Sequence, residues 1–207
     1  MLEYGPLIKR LLTGEFICRI NDPDAYRHLQ DESTRQAIDN YLRPLNYRIV
    51  SNETQSVYYA GFCEMNYDIR SQLMHQFKEI ISSLLPLLEW LQFIHETQGR
   101  ESTLTAGDYI RVSEIMASVE DNQSLQQRLD QLSRDHFFNC RSDSIDLQLK
   151  QIFRRLKEHD YVRQPNAEQQ IFIATGKVDY LIDVIRFIRD EEHLPVEDIP
   201  PVQQELL

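Results

Sequence analysis

Thr175, Gly176 and Lys177 look like part of a phosphate loop, in which successive backbone amides cradle an anion. The position five residues before Gly176, where such a loop needs its other glycine, is Ile171, so the cradle is missing and a turn followed by a helix cap fits better. His95 and Glu96 begin a zinc-protease pattern, but the place of the second histidine is Gly99 and the other histidines are scattered. No Gly-x-Ser-x-Gly elbow occurs, and Cys140 lies near His136 in sequence with no group in view to activate its thiol. No catalytic residue, metal site or cofactor is expected.

Binding chemistry is better represented. Over 144–159, taken as a helix, Leu149, Ile152, Phe153 and Leu156 fall on one arc, while Lys150, Arg154 and Lys157 share an adjacent one. Arg163 follows at the start of a hairpin. These four are the candidate DNA contacts, by phosphate binding in a groove; the alternative is a solvated basic face. Over 178–190, Val178, Leu181, Ile182, Ile185 and Ile188 cover one helix face, and Tyr180, Val184 and Phe187 extend it to roughly two-thirds of the circumference. A small domain rarely covers so wide a stripe, so Tyr180, Val184 and Phe187 are expected at a protein partner, unless the tandem fold buries them.

A third apolar stripe runs through Leu73, Phe77, Ile80, Leu84, Leu87, Leu91 and Ile94 in alternating four- and three-residue steps. It reads either as a core helix or as a seam with a second copy, with Leu84 and Leu91 as the partner positions. Met74, Ile81 and Leu88 widen the stripe, and Pro86 is expected to kink or break the helix after Leu85, both of which favour a buried connector.

The elements that carry these residues are repeated. Leu42, Asn46, Tyr47, Asn52, Gln55, Val57, Tyr58 and Ala60 match Leu156, Asp160, Tyr161, Asn166, Gln169, Ile171, Phe172 and Ala174, each pair 114 positions apart. Each copy is a helix end followed by two alternating, Tyr- or Ile-rich runs around an Asn-containing turn, which is the second half of a winged helix. The first unit reads helix 5–12, strand 16–20, helix 24–30, helix 33–45 and hairpin 47–62. Gly14 fits the first helix stop, Asp22 with Pro23 and the Asp31-Glu32-Ser33 cluster fit helix starts, and Pro44 is expected to end or bend the third helix near Arg43. The second unit reads helices 108–119, 124–132 and 144–159, hairpin 161–175 and a last helix 178–190. The expected fold class is α+β, predominantly helical, with tandem winged-helix units and connecting helices. Its divisions are a winged helix over 1–64, connecting helices over 65–102, a winged helix over 103–193 and an acidic, proline-containing tail over 194–207.

The chain has 207 residues, 42% hydrophobic and 27% charged, as an ordinary soluble globular protein has. Its formal charge of −11 opposes the non-specific attraction to phosphates on which a free-standing DNA binder depends. No apolar run reaches the roughly 20 residues needed to span a bilayer, and Glu3, Lys9 and Arg10 interrupt any leader-type core, so a cytoplasmic location is expected. Cys18, Cys63 and Cys140 are odd in number and far apart, and are read as reduced, buried thiols.

The order of elements, the tandem repeat and the run Ile171-Phe-Ile-Ala-Thr-Gly-Lys-Val-Asp-Tyr180-Leu-Ile-Asp-Val-Ile-Arg-Phe187 resemble the MukE and MksE subunits of bacterial condensins, the MksE branch more closely. The segment Gly14-Glu-Phe-Ile-Cys-Arg-Ile20 through Tyr59 is similar to the N-terminal part of the same group, including its Wadjet defence relatives. The resemblance implies a non-catalytic homodimer that binds a kleisin and, through it, an SMC-type ATPase. It implies a nucleoid-associated role in chromosome organisation and segregation or in plasmid defence, with DNA touched weakly or only within the complex, and no membrane partner. The competing expectations are a stand-alone winged-helix transcription regulator, which would need two basic recognition helices, and an adaptor in which neither unit meets nucleic acid.

Overall fold

The computed structural model describes residues 4–64, 67–99 and 101–192. The fold is α+β and predominantly helical, with two small antiparallel sheets.

In the first unit α1 (Gly5–Leu12) buries Leu7 and Leu11 and stops where Gly14 takes φ +84°, a conformation that suits a residue without Cβ. After the two-residue strand β1 (Ile17–Cys18), Asp22 accepts from the amide of Ala25 at 2.9 Å and opens α2 (Pro23–Gln30). Asp31 does the same for α3 (Glu32–Leu42), accepting from Thr34 at 2.8 Å; each cap satisfies an amide that the first helical turn leaves without a partner. Pro44 lies in a 3-10 turn, Arg43–Leu45, that closes α3. The hairpin β2 (Tyr47–Ser51) and β3 (Val57–Phe62) follows, and β1 adds to the far side of β3, giving the order β1-β3-β2. Leu11, Ile17, Leu29, Ile38, Leu42 and Tyr58 form the core, each at most 1% exposed.

The long helix α4 (Tyr67–Gln98) continues through Pro86, so the proline does not break it. The lost backbone hydrogen bond and steric clash cost about 3 kcal/mol, and burial of Leu87, Trp90, Leu91, Phe93 and Ile94 just beyond it supplies the compensating apolar contact. The side chains of Leu73, Phe77 and Ile80 lie outside the described residues; those of Leu87, Leu91 and Ile94 belong to the core of the second unit.

The second unit departs from expectation at its start. Residues 109–111 form a strand, β4 (Tyr109–Arg111), where the sequence reads as helix from 108. Three residues are too few to show a periodicity, and pairing with β6 decides their conformation: Ile110 lies opposite Phe172 and Ala174 donates to the Asp108 carbonyl at 2.9 Å. Helices α5 (Val112–Glu120), α6 (Gln123–Arg134) and α7 (Ile145–Glu158) precede the hairpin β5 (Val162–Arg163) and β6 (Ile171–Ala174), and α8 (Gly176–Glu192) follows. The sheet order is β4-β6-β5, with the added strand again beside the second hairpin strand.

The 114-residue repeat has a backbone basis. Asn46 and Asp160 both leave their helix in the left-handed region, at φ 64° and 60°. In the turns, Gln55 donates to the Asn52 carbonyl at 3.0 Å and Gln169 donates to that of Asn166 at 3.1 Å. Strand register differs by one residue: Ile49 faces Ala60, whereas Val162 and not Arg163 faces Ala174. That displacement turns Val162 inward and leaves Arg163 exposed. Cys18 and Cys140 are buried free thiols, but Cys63 is exposed, because it lies just past the end of β3 where the sheet no longer covers it.

Candidate nucleic-acid interface

Helix α7 is fixed from below. Leu149, Ile152, Phe153 and Leu156 are each at most 2% exposed, and Phe153 stacks on Phe172 of β6 with ring centroids 4.5 Å apart. Lys150, Arg154 and Lys157 then line a groove of about 230 Å³ between α7 and the β5–β6 hairpin, with Leu149, Phe153, Phe172 and Val112 beneath them. Three of the four residues expected to meet DNA therefore share one surface.

Each already has a weak neighbour. Lys150 Nζ is 2.7 Å from Asp146, Arg154 Nε is 3.6 Å from Glu158, and Lys157 Nζ donates to Gln164 Oε1 at 3.2 Å. With Lys150 and Arg154 more than half exposed, solvent screens these pairs, which contribute little stability and yield readily to another anion. A hydrogen bond from Arg155, and the charge of Arg154, hold the Glu158 carboxyl below its usual range.

Arg163 is engaged elsewhere. One guanidinium nitrogen donates to the Ile20 carbonyl at 2.6 Å and to the Asn21 carbonyl at 2.9 Å, tying the second hairpin to the loop after β1. The sequence shows a cation beside the basic arc; only the fold brings two carbonyls from more than 140 positions away to meet it. Arg155, absent from the sequence expectation, is likewise structural, donating to the Phe137 carbonyl at 2.9 Å.

The residues expected at a protein partner separate into two groups. Tyr180 packs against Phe16 and Tyr59 of the first unit, with centroids 4.8 and 5.1 Å away, and Leu91 lies in the core. Leu84 is half-buried against that core, Val184 is half-buried, and Phe187 is 63% exposed.

The seam served by Tyr180 joins the units through polar contacts as well. Asp179 accepts from Ser56 Oγ at 2.5 Å and from the Ala106 amide at 2.9 Å, and Asn52 donates to Asp183 at 3.3 Å. Lys177 donates to the His159 carbonyl at 2.9 Å and lies 5.2 Å from the Phe16 ring centroid and 4.9 Å from that of Tyr161. The Thr-Gly-Lys sequence is thus a packing device. A Cβ on Gly176 would fall 2.8 Å from the Cβ atoms of both Cys18 and Val57 and 2.9 Å from the Ser56 carbonyl oxygen.

Burial pushes the Asp179 carboxyl above its ordinary range, against the hydrogen bonds from Ser56 and Ala106 that favour the ionised form. Because the folded-state pKa is the higher one, this group's stabilising contribution is full below the unfolded value and is lost as pH rises through the folded value. Asp179→Asn retains an acceptor for Ala106 and offers Ser56 a donor without the charge. The variant is expected to melt above the parent at neutral pH, with the gap closing by about pH 4. Thermal scans across that interval check it; a gap independent of pH would rule out the buried charge as the cause.

Among the described residues no cluster of three or more His, Cys, Asp or Glu side chains is placed to hold a metal ion, and no helix is long and apolar enough to cross a membrane. No curated protein matches the chain. A family model described as condensin complex protein MksE matches residues 4–185, a span that takes in both cores, both hairpins and the seam between them. The chain belongs to the MksE family of condensin complex proteins.

Proposed function

We propose that this condensin complex protein is a non-catalytic subunit that dimerises, binds the kleisin and through it engages an SMC-type ATPase. In this reading both units are winged helices, and the complex acts at the nucleoid in chromosome organisation and segregation or in plasmid defence. The family match over residues 4–185 carries the proposal. The exposed Phe187, with Val184 one turn back and Leu84 on α4, supplies apolar surface for a partner. DNA contact falls to Lys150, Arg154 and Lys157, within the assembled complex.

Co-expression with a kleisin and a coiled-coil SMC-type ATPase from the same genome tests the reading. The three are expected to co-elute, and light scattering should give a dimer of the isolated chain at tens of micromolar, a range that exposes weak self-association. Phe187→Asp with Val184→Asp should remove at least one of these associations while leaving the circular dichroism spectrum intact. A monomer under those conditions overturns the dimer, and separate elution from the kleisin overturns the assembly role.

A further inference from the structure

We infer that the exposed face of α3, centred on Tyr41, is where two copies of this chain meet, with the two helices antiparallel across a two-fold axis. The inference rests on the dimer reading proposed above and gives it a surface.

The two units differ at one helix face. The 114-residue repeat places Ala37, Tyr41 and Leu45 of the first at the positions of Gln151, Arg155 and His159 of the second. In the second unit that face is covered by residues 135–144, between α6 and α7. Gln151 donates to the Phe138 carbonyl at 2.8 Å, Arg155 donates to the Phe137 carbonyl at 2.9 Å, and the Phe137 ring centroid lies 4.9 Å from that of His159. In the first unit Asp31 alone separates α2 from α3, so no such segment is present. Tyr41 is 50% and Leu45 55% exposed, whereas Ile38 and Leu42 beside them are fully buried.

The change of side chains says what the open face takes. Gln151 and Arg155 are donors matched to the carbonyls of an irregular loop. Ala37 and Leu45 have no polar side-chain atom to offer a carbonyl, so the occupant presents side chains from an element whose own backbone bonds are made, a helix. Residues at four-residue steps form one ridge, about 12 Å long, small at one end and large at the other. An antiparallel copy centred on Tyr41 sets Ala37 opposite the other copy's Leu45, and Leu45 opposite its Ala37. The surface is its own complement, as a two-fold contact requires.

Charge selects the same partner. Two chains of formal charge −11 repel, and a contact between them has to avoid bringing like charges together. On α3 the charged residues Glu32, Arg35, Asp39 and Arg43 stand at least about 120° around the helix from Tyr41, and they pair among themselves, Arg35 with Glu32 and Arg43 with Asp39. The strip is neutral, and antiparallel packing opposes the two helix dipoles, where parallel packing would align them.

Light scattering on the full chain at tens of micromolar, a range that exposes weak self-association, should give a dimer for the parent and a monomer for Tyr41→Asp and for Leu45→Asp. Loss of a central interface aromatic raises a dissociation constant about thirtyfold, and a two-fold contact holds each substitution twice, so a roughly thousandfold loss is expected. Both side chains are about half exposed, so circular dichroism and melting should stay as in the parent. Register is read by mild oxidation of chains carrying Cys63→Ser, which removes the exposed native thiol. A mixture of Ala37→Cys and Leu45→Cys chains should form a disulfide between unlike chains. Either chain alone should not, because the two-fold sets like positions about 12 Å apart along the helices, beyond the roughly 7 Å between Cα atoms that a disulfide spans. A monomeric parent would overturn the dimer reading and this surface together. A dimeric parent with a dimeric Tyr41→Asp variant would overturn the surface alone, and links between like chains, or none in the mixture, would overturn the antiparallel pairing.

Discussion

Gly176→Val is expected to lower the melting temperature by roughly 6 to 12 °C. The estimate takes about 3 kcal/mol for overpacking and 2–4 °C per kcal/mol for a chain of this size. A glycine in a helix ordinarily invites improvement, since replacing it gains about 1 kcal/mol in propensity. Here the sign reverses because of what the new side chain meets. The Cβ atoms of Cys18 and Val57 and the carbonyl oxygen of Ser56 belong to backbone or stand directly on it, at 2.8 to 2.9 Å, and cannot step aside without moving β1 and β3. Gly61 offers an internal comparison: its nearest contact is the terminal Cγ2 of Val50 at 2.7 Å, which a change of rotamer can relieve, so Gly61→Ala should cost less. Calorimetry of both variants checks the pair. A valine variant melting within a degree or two of the parent would mean that the two units are not held by this contact.

The second large effect is on DNA. Lys150→Glu, Arg154→Glu and Lys157→Glu together should abolish the contribution of this protein to DNA binding by the assembled complex while leaving dimer and kleisin association intact. The buried arc of Leu149, Ile152, Phe153 and Leu156 is untouched by the change. With a slope of about −0.9 per phosphate contact, three contacts predict a roughly fortyfold loss of parental affinity between 50 and 200 mM salt. The reversed protein should show no such slope of its own. The same reversal at Arg35 and Arg43 should matter less: Arg35 is paired with Glu32, and Arg43 lies 3.8 Å from Asp39. Equal binding by the complex with and without the triple reversal would reduce the basic arc to a solvated face.

What the sequence revealed was whatever is encoded locally. Asp22 and Asp31 announce helix starts because a carboxylate three positions before a free amide needs no tertiary contact to cap it. The hairpins were visible as a repeat because Asn46 and Asp160 occupy a left-handed position that few residues tolerate. Strand β4 escaped because its conformation is set by β6, about 60 residues later. That Pro86 does not break α4 was hidden for a related reason, since the apolar contacts that carry the helix past it come from other elements. At the candidate interface the in-register cations of α7 were legible from a 100° helical wheel. The removal of Arg163 to Ile20 and Asn21, and of Tyr180 to Phe16 and Tyr59, was not, because both depend on how one unit leans on the other.

The seam at Gly176 also imposes an order in time. Val57 and Gly176 are 119 positions apart, which at about 5–20 residues per second of synthesis separates their emergence by roughly 6 to 24 seconds. Throughout that interval the first unit has every residue of its own core, yet Phe16 and Tyr59 face water with no Tyr180 to cover them. The nascent chain therefore carries an adhesive aromatic face that its own last helix later seals. Any protein that engages the chain while it is still on the ribosome meets a surface that the finished molecule no longer offers.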